Sequence, residues 1–134
     1  MRLDMGDITR ASESEALLAS IAHREGDADG ARALFARSLA GAHARREAFT
    51  VLICLEGFAL LARDGGDDVE SVRLSAGVTH QRRLLQMPLP PRYATHHDAA
   101  VSALESKLGI AAFLDAWTAG ERATLTELIA MTSG

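Results

Sequence analysis

Gly26-Asp27 and Gly66-Asp67 stand forty residues apart, and each pair lies between two stretches with helical periodicity. The segment HREGDADGARALFARSLAGA is echoed by ARDGGDDVESVRLSAGVTH. Glycine closes a helix in the left-handed conformation at little steric cost, and aspartate caps the helix that follows. The repeat therefore predicts helix, tight turn, helix, used twice. A single hairpin leaves an apolar face open, so successive hairpins are expected to stack. This repeat sets the expected fold class, all-α with stacked antiparallel helical hairpins, and the periodic stretches along the whole chain count to about seven helices.

The remaining punctuation divides the chain. Residues 1–11 read as a flexible lead-in, 12–85 as two hairpins, 86–91 as a proline break and 92–134 as a helical cap. Ser12 and Glu15 have capping-box spacing, followed by Leu17, Leu18, Ile21 and Ala22 at helical intervals. Ala31, Leu34, Phe35, Leu39 and Ala42 form one stripe of the second helix. The third, from about Arg46 to Arg63, is apolar almost all round and is expected at the centre, with Gly57 as a notch for a crossing helix. Asp67 and Glu70 repeat the capping-box spacing and open a fourth helix over 68–85, in which Val69, Val72 and Ala76 face inward. QMPLPP then stops the chain, because proline cannot continue a helix and restricts the residue before it. Tyr93, His97, Ala100, Val101, Leu104 and Leu108 make the next stripe, closed by Gly109. Ile110, Phe113, Leu114 and Trp117 make another, closed by Gly120, and Thr124 with Glu127 caps a last short helix.

Composition narrows the function classes. The net charge of -4 argues against nucleic-acid binding by bulk attraction. The longest apolar run, AFTVLICLEGFALLA, is too short to span a bilayer and holds Glu56. The start, MRLDMGDITR, lacks the apolar core of a signal peptide. One cysteine, Cys54, forbids an internal disulfide and fits a reducing cytoplasm. The expected location is cytoplasmic, with no membrane and no direct nucleic-acid partner.

GDADGARALFARSLA resembles the second half of a tetratricopeptide repeat, with the turn at Gly26-Asp27 and the small-then-large pair Ala31 and Phe35. LEGFALLARDGGD, PLPP and the ending ALESKLGIAAFLDAWTAGERATLTELIA together resemble the C-terminal helical-repeat region of bacterial LuxR-type and related ATP-dependent transcriptional regulators. The likeness runs over roughly residues 15 to 132. It implies a regulatory helical-repeat domain, with Trp117 and Phe113 plugging the open end of the stack. In that class an ATPase core and a DNA-binding module precede the repeats. This sequence has no G-x-x-x-x-G-K-[ST] phosphate loop, its only lysine is Lys107, and it shows no helix-turn-helix with a basic recognition helix. It departs from the pattern at Gln86, where the class has glycine, and at Ser71 and Ser75, which soften the inward face of the fourth helix. The resemblance thus implies a part or remnant of a regulator, whose partner is a protein, a peptide or the regulator's own missing domains.

The candidate sites follow from this. His96, His97 and Asp98 are adjacent, but neighbouring residues on a helix point about 100° apart and do not share one ion. Cys54 has no His or Lys beside it and reads as a buried, inert thiol. Asp64, Asp67 and Asp68 lack the calcium-loop pattern and read as turn and cap residues. No paired carboxylates, triad or ligand set stands at a working spacing, so the chain is expected to be no enzyme, with no cofactor and no metal. Partner contacts are expected at Arg37, Arg45, Arg73 and Arg82, taken as exposed helical positions. The alternative is a small-molecule pocket between hairpins and cap, lined by Phe49, Phe58, Tyr93 and Trp117. A homodimer through Leu17, Leu18 and Ile21 of the first helix is a further expectation.

Overall fold

The first four helices end by one rule, repeated every twenty residues. In the computed structural model, which describes residues 5–133 and side chains from residue 11 onward, residues 26, 46, 66 and 86 all have left-handed backbone. The N–H of each donates to the carbonyl three residues back, and the next N–H to the carbonyl five residues before it. At the second turn these bonds are Arg46 to His43, 3.2 Å, and Glu47 to Ala42, 2.9 Å. This is the Schellman arrangement, which satisfies helix-end carbonyls. It separates α1 (Met5–Arg24), α2 (Ala28–Ala44), α3 (Ala48–Asp64) and α4 (Asp68–Leu85). After Pro88–Pro90 come α5 (Pro91–Leu108), α6 (Ile110–Arg122) and α7 (Leu125–Met131). The fold is all-α, with no strand among the described residues, and its hairpins stack antiparallel as the repeat implied.

Several local expectations need correction. Ser12 does not begin a helix: α1 runs through it from Met5, and residues 1–4 of the expected lead-in lie outside the described residues. Ser12 is instead buried against α2, where its carbonyl accepts the Ser38 hydroxyl at 2.7 Å. Arg46 belongs to the turn, so α3 starts two residues later than the apolar run suggested. The Asp67–Glu70 box forms by half. Asp67 Oδ1 accepts the Glu70 N–H at 3.1 Å, but the Asp67 N–H is already held by the Ala62 carbonyl at 2.8 Å. Thr124 has no such prior bond, and there the box closes both ways with Glu127.

The main core joins α1–α4 with α7. Phe35 of α2 lies with its ring on Gly57 of α3, where a Cβ would overlap it, and tilts against Phe58 with centroids 6.0 Å apart. Gly57 is therefore the expected notch. Gly77 of α4 is filled in the same way by Leu128 of α7. A smaller cluster of Val72, Leu104, Phe113 and Ala116 fixes the C-terminal helices to α4. Gly120 does not close α6. It lies inside it, against the Arg73 carbonyl of α4, where a side chain would collide with backbone. That close approach brings α6 onto α4 and leaves α5 touching α4 only lightly. The stripe expected to bury α5 accordingly buries Leu104 alone. In α6 the inward residues are Phe113, Ala116 and Gly120, while Ile110 and Leu114 face outward.

Candidate functional site

Because α6 rather than α5 packs onto α4, a groove stays open between α3 and α5. Its volume is about 720 Å³. Phe49, Ile53 and Leu60 project from α3; Tyr93, Ala100 and Val101 project from α5; Ser71 and Ser75 of α4 form the floor. Pro88, Leu89 and Pro90 close one end. Phe49 and Tyr93 stand on the two walls, each 52% exposed although aromatic. His96 and His97 add two imidazoles on the α5 side.

Two ion pairs hold the frame. Arg82, 7% exposed, donates from Nε to Glu56 Oε1 at 2.6 Å and from Nη1 to the Met87 carbonyl at 2.9 Å. It thus joins α3, the end of α4 and the start of the proline segment. At the other end of α4, Asp68 Oδ2 lies 3.2 Å from Lys107 Nζ of α5. Ser71 is satisfied within the fold, donating to the Ala59 carbonyl at 2.7 Å.

The arginines expected to meet a partner do not share a surface. Arg37 is exposed on α2, 3.6 Å from Glu15. Arg45 is half-buried in the α2–α3 turn, 2.7 Å from Glu47 Oε1, and also donates to the Ser12 hydroxyl. Arg73 is half-buried on α4, with its carbonyl against Gly120. Arg82 is the buried frame residue just described, so the assumption that all four are exposed is corrected for three of them. Burial wins at Arg45 and Arg82 because each finds a carboxylate that offsets desolvation.

The expected pocket is also divided. Phe49 and Tyr93 do face one cavity. Phe58, 4% exposed, is core, held by Phe35. Trp117 lines a second depression of about 840 Å³ with Arg83, Gln86 and Asp98. It stacks on Phe113 with centroids 5.7 Å apart, and its Nε1–H donates to the Glu121 carboxylate. Groove residues missed from sequence include Ile53, Leu60, Ala100 and Val101. The available signal was Ser71 and Ser75, two hydroxyls on a helix face that ought to have been apolar.

The other reactive groups have local duties. Burial, with Glu15 adding to it, pushes the Cys54 thiol up to about 11 against the opposing hydrogen bond to Ser38 Oγ, 3.3 Å. At Asp64, partial burial favours the neutral acid, but hydrogen bonds from His23 at 2.5 Å and Arg63 at 3.2 Å outweigh it and hold the carboxyl low. Asp67 caps α4 and Asp68 pairs with Lys107. Nδ1 of His97 lies 3.6 Å from its neighbour Asp98. Among the described residues no three His, Cys, Asp or Glu side chains converge as a metal site, and no helix is long and apolar enough to cross a membrane. Scans of the chain against protein-family models, curated proteins and solved structures find no match.

Proposed function

We propose that the chain is a non-catalytic binding domain whose α3–α5 groove holds an apolar helical segment of a partner protein. The observation that carries this reading is the groove itself: it is lined from two long helices, each with an exposed aromatic residue, and from two serines of α4. A helix laid there would use apolar anchors at i, i+3 or i+4, and i+7. The resemblance of the ending to bacterial ATP-dependent regulators supports a regulatory setting in the cytoplasm, with the occupant drawn from another protein or from the regulator's own domains.

The test is a selection of displayed helical peptides, followed by titration against variants. Ala100 stands half-buried on the groove wall. Ala100→Trp should fill the groove and weaken selected peptides by about tenfold or more, equivalent to about 1.4 kcal/mol. Arg37→Glu, outside the groove lining, should leave them unchanged. Peptides that bind the Ala100→Trp protein as tightly as the parent would sink the reading.

A second reading is a sensor of a small apolar molecule. The closed proline end favours it, and the volume falls within the range of about 300–1,000 Å³ typical of such sites. Anilinonaphthalene sulfonate is a suitable probe. Saturable binding of one molecule, lost in Ala100→Trp, supports the sensor; no binding removes it.

A further inference from the structure

We infer that α1 is a self-association surface, pairing antiparallel with α1 of a second copy of this chain. The inference is independent of the groove. Leu17 and Leu18 are 61% and 53% exposed, and no described element covers them. In the forty-residue register they correspond to Gly57 and Phe58 of α3, which receive Phe35 of the preceding hairpin. The outer face of α1 is therefore the continuation of an interface that the fold already uses once.

Its relief and charge identify the occupant. Where α3 has the Gly57 notch, α1 has a leucine, so this face is convex and suits a neighbour with small residues rather than a Phe35-like plug. Ser14 and Ser20 of a second α1 supply such residues. Glu13, Leu17, Ile21 and Arg24 follow one another along the outer strip. Glu13 and Arg24 are exposed and have no ion-pair partner among the described residues. They are separated by about 16 Å along the axis. A two-fold antiparallel pairing centred between them sets Glu13 against Arg24 at both ends and closes Leu17 against the Ser20–Ile21 turn in the middle. A parallel pairing would set like charges together.

One helix face per copy is a small interface, so the association is expected to be weak and concentration-dependent. Sedimentation velocity of the full chain should show a monomer–dimer equilibrium between about 10 µM and about 1 mM. Leu17→Glu should abolish the dimer with unchanged far-ultraviolet dichroism, since Leu17 is 61% exposed and lies outside both core clusters. Glu13→Arg should weaken it by about tenfold, and Glu13→Arg with Arg24→Glu should restore it. A strict monomer over that range overturns the inference, as does a dimer indifferent to Leu17→Glu or a double exchange that fails to restore pairing. If α1 instead serves a different protein, the chain alone stays monomeric and the inference falls.

Discussion

Two of the four left-handed turn residues are not glycine, and this leads to a quantitative expectation. Arg46 and Gln86 have φ of 57° and 55°, whereas Gly26 and Gly66 fill the equivalent places at 84° and 88°. A side chain in left-handed backbone costs about 1–2 kcal/mol, because Cβ crowds the following carbonyl. Replacing it with glycine recovers that cost but gives the unfolded chain about 0.5–1 kcal/mol of extra freedom. Both side chains are exposed, so little packing is lost. Arg46→Gly and Gln86→Gly should therefore each stabilise by about 0.5–1 kcal/mol, and together by about 1–2, since they lie in separate connections. For a chain of this size that is a rise in Tm of about 3–8 °C. Gly26→Ala and Gly66→Ala are the reverse experiment. A Cβ at either place meets nothing within 4 Å, so the net loss, about 0.5–1 kcal/mol once the restricted unfolded chain is counted, would come from backbone alone. Urea unfolding followed by circular dichroism measures all four, with an unchanged m value as the check that the fold is preserved. If Gly66→Ala is neutral, or Gln86→Gly destabilises, the twenty-residue turn rule is not what closes these helices.

Two further outcomes test the core. Gly57→Ala should cost about 1–3 kcal/mol, because its methyl would overlap the Phe35 ring, and Phe35→Leu should relieve part of that cost in a double-mutant cycle. The Cys54 thiol, raised by burial to about 11, should resist a disulfide reagent at pH 8 in the native protein and react only on unfolding. Here the folded value exceeds the unfolded one, so the stabilisation is whole below about pH 9 and is lost as the pH rises toward 11. Cys54→Ala should flatten alkaline unfolding over that window; an unchanged profile would mean the thiol is not its source.

Helix number and hairpin order were legible because they depend on local chemistry. Gly26-Asp27, Gly66-Asp67 and Thr124–Glu127 announce themselves by residue type, and the Phe35 stripe by its spacing. The turns at 46 and 86 were not legible in this way, since arginine and glutamine hide a left-handed conformation that only the twenty-residue register betrays. Gly120 misled for a related reason: the same residue type ends helices and permits close crossings, and only the Arg73 carbonyl above it distinguishes the two. The site was half legible. Phe49 and Tyr93 could be named as lining of a pocket between hairpins and cap, but the apolar stripes that hold them gave no sign that they stand exposed. Phe58 and Trp117 could not be assigned to opposite sides of the same packing boundary without knowing which helix, α5 or α6, reaches α4.

That boundary can itself be traced to a few side chains. Counted from the helix starts at Ala48 and Pro91, Ala100 and Val101 of α5 stand where Gly57 and Phe58 stand in α3. Counted from Ala28 and Asp68, Ser75 of α4 stands where Phe35 stands in α2. At the first junction, a phenyl ring fills a glycine notch and draws the two hairpins together, burying a side chain worth about 1.5–3 kcal/mol. At the second, a serine faces an alanine, so no side chain pulls α5 inward, and Gly120 brings α6 onto α4 instead. The open groove is thus the first junction repeated without its plug. This bears on the proposed occupant: the second junction lacks an apolar side chain carried on a helix, the kind of group that α2 supplies to α3, and its groove of about 720 Å³ has room for several.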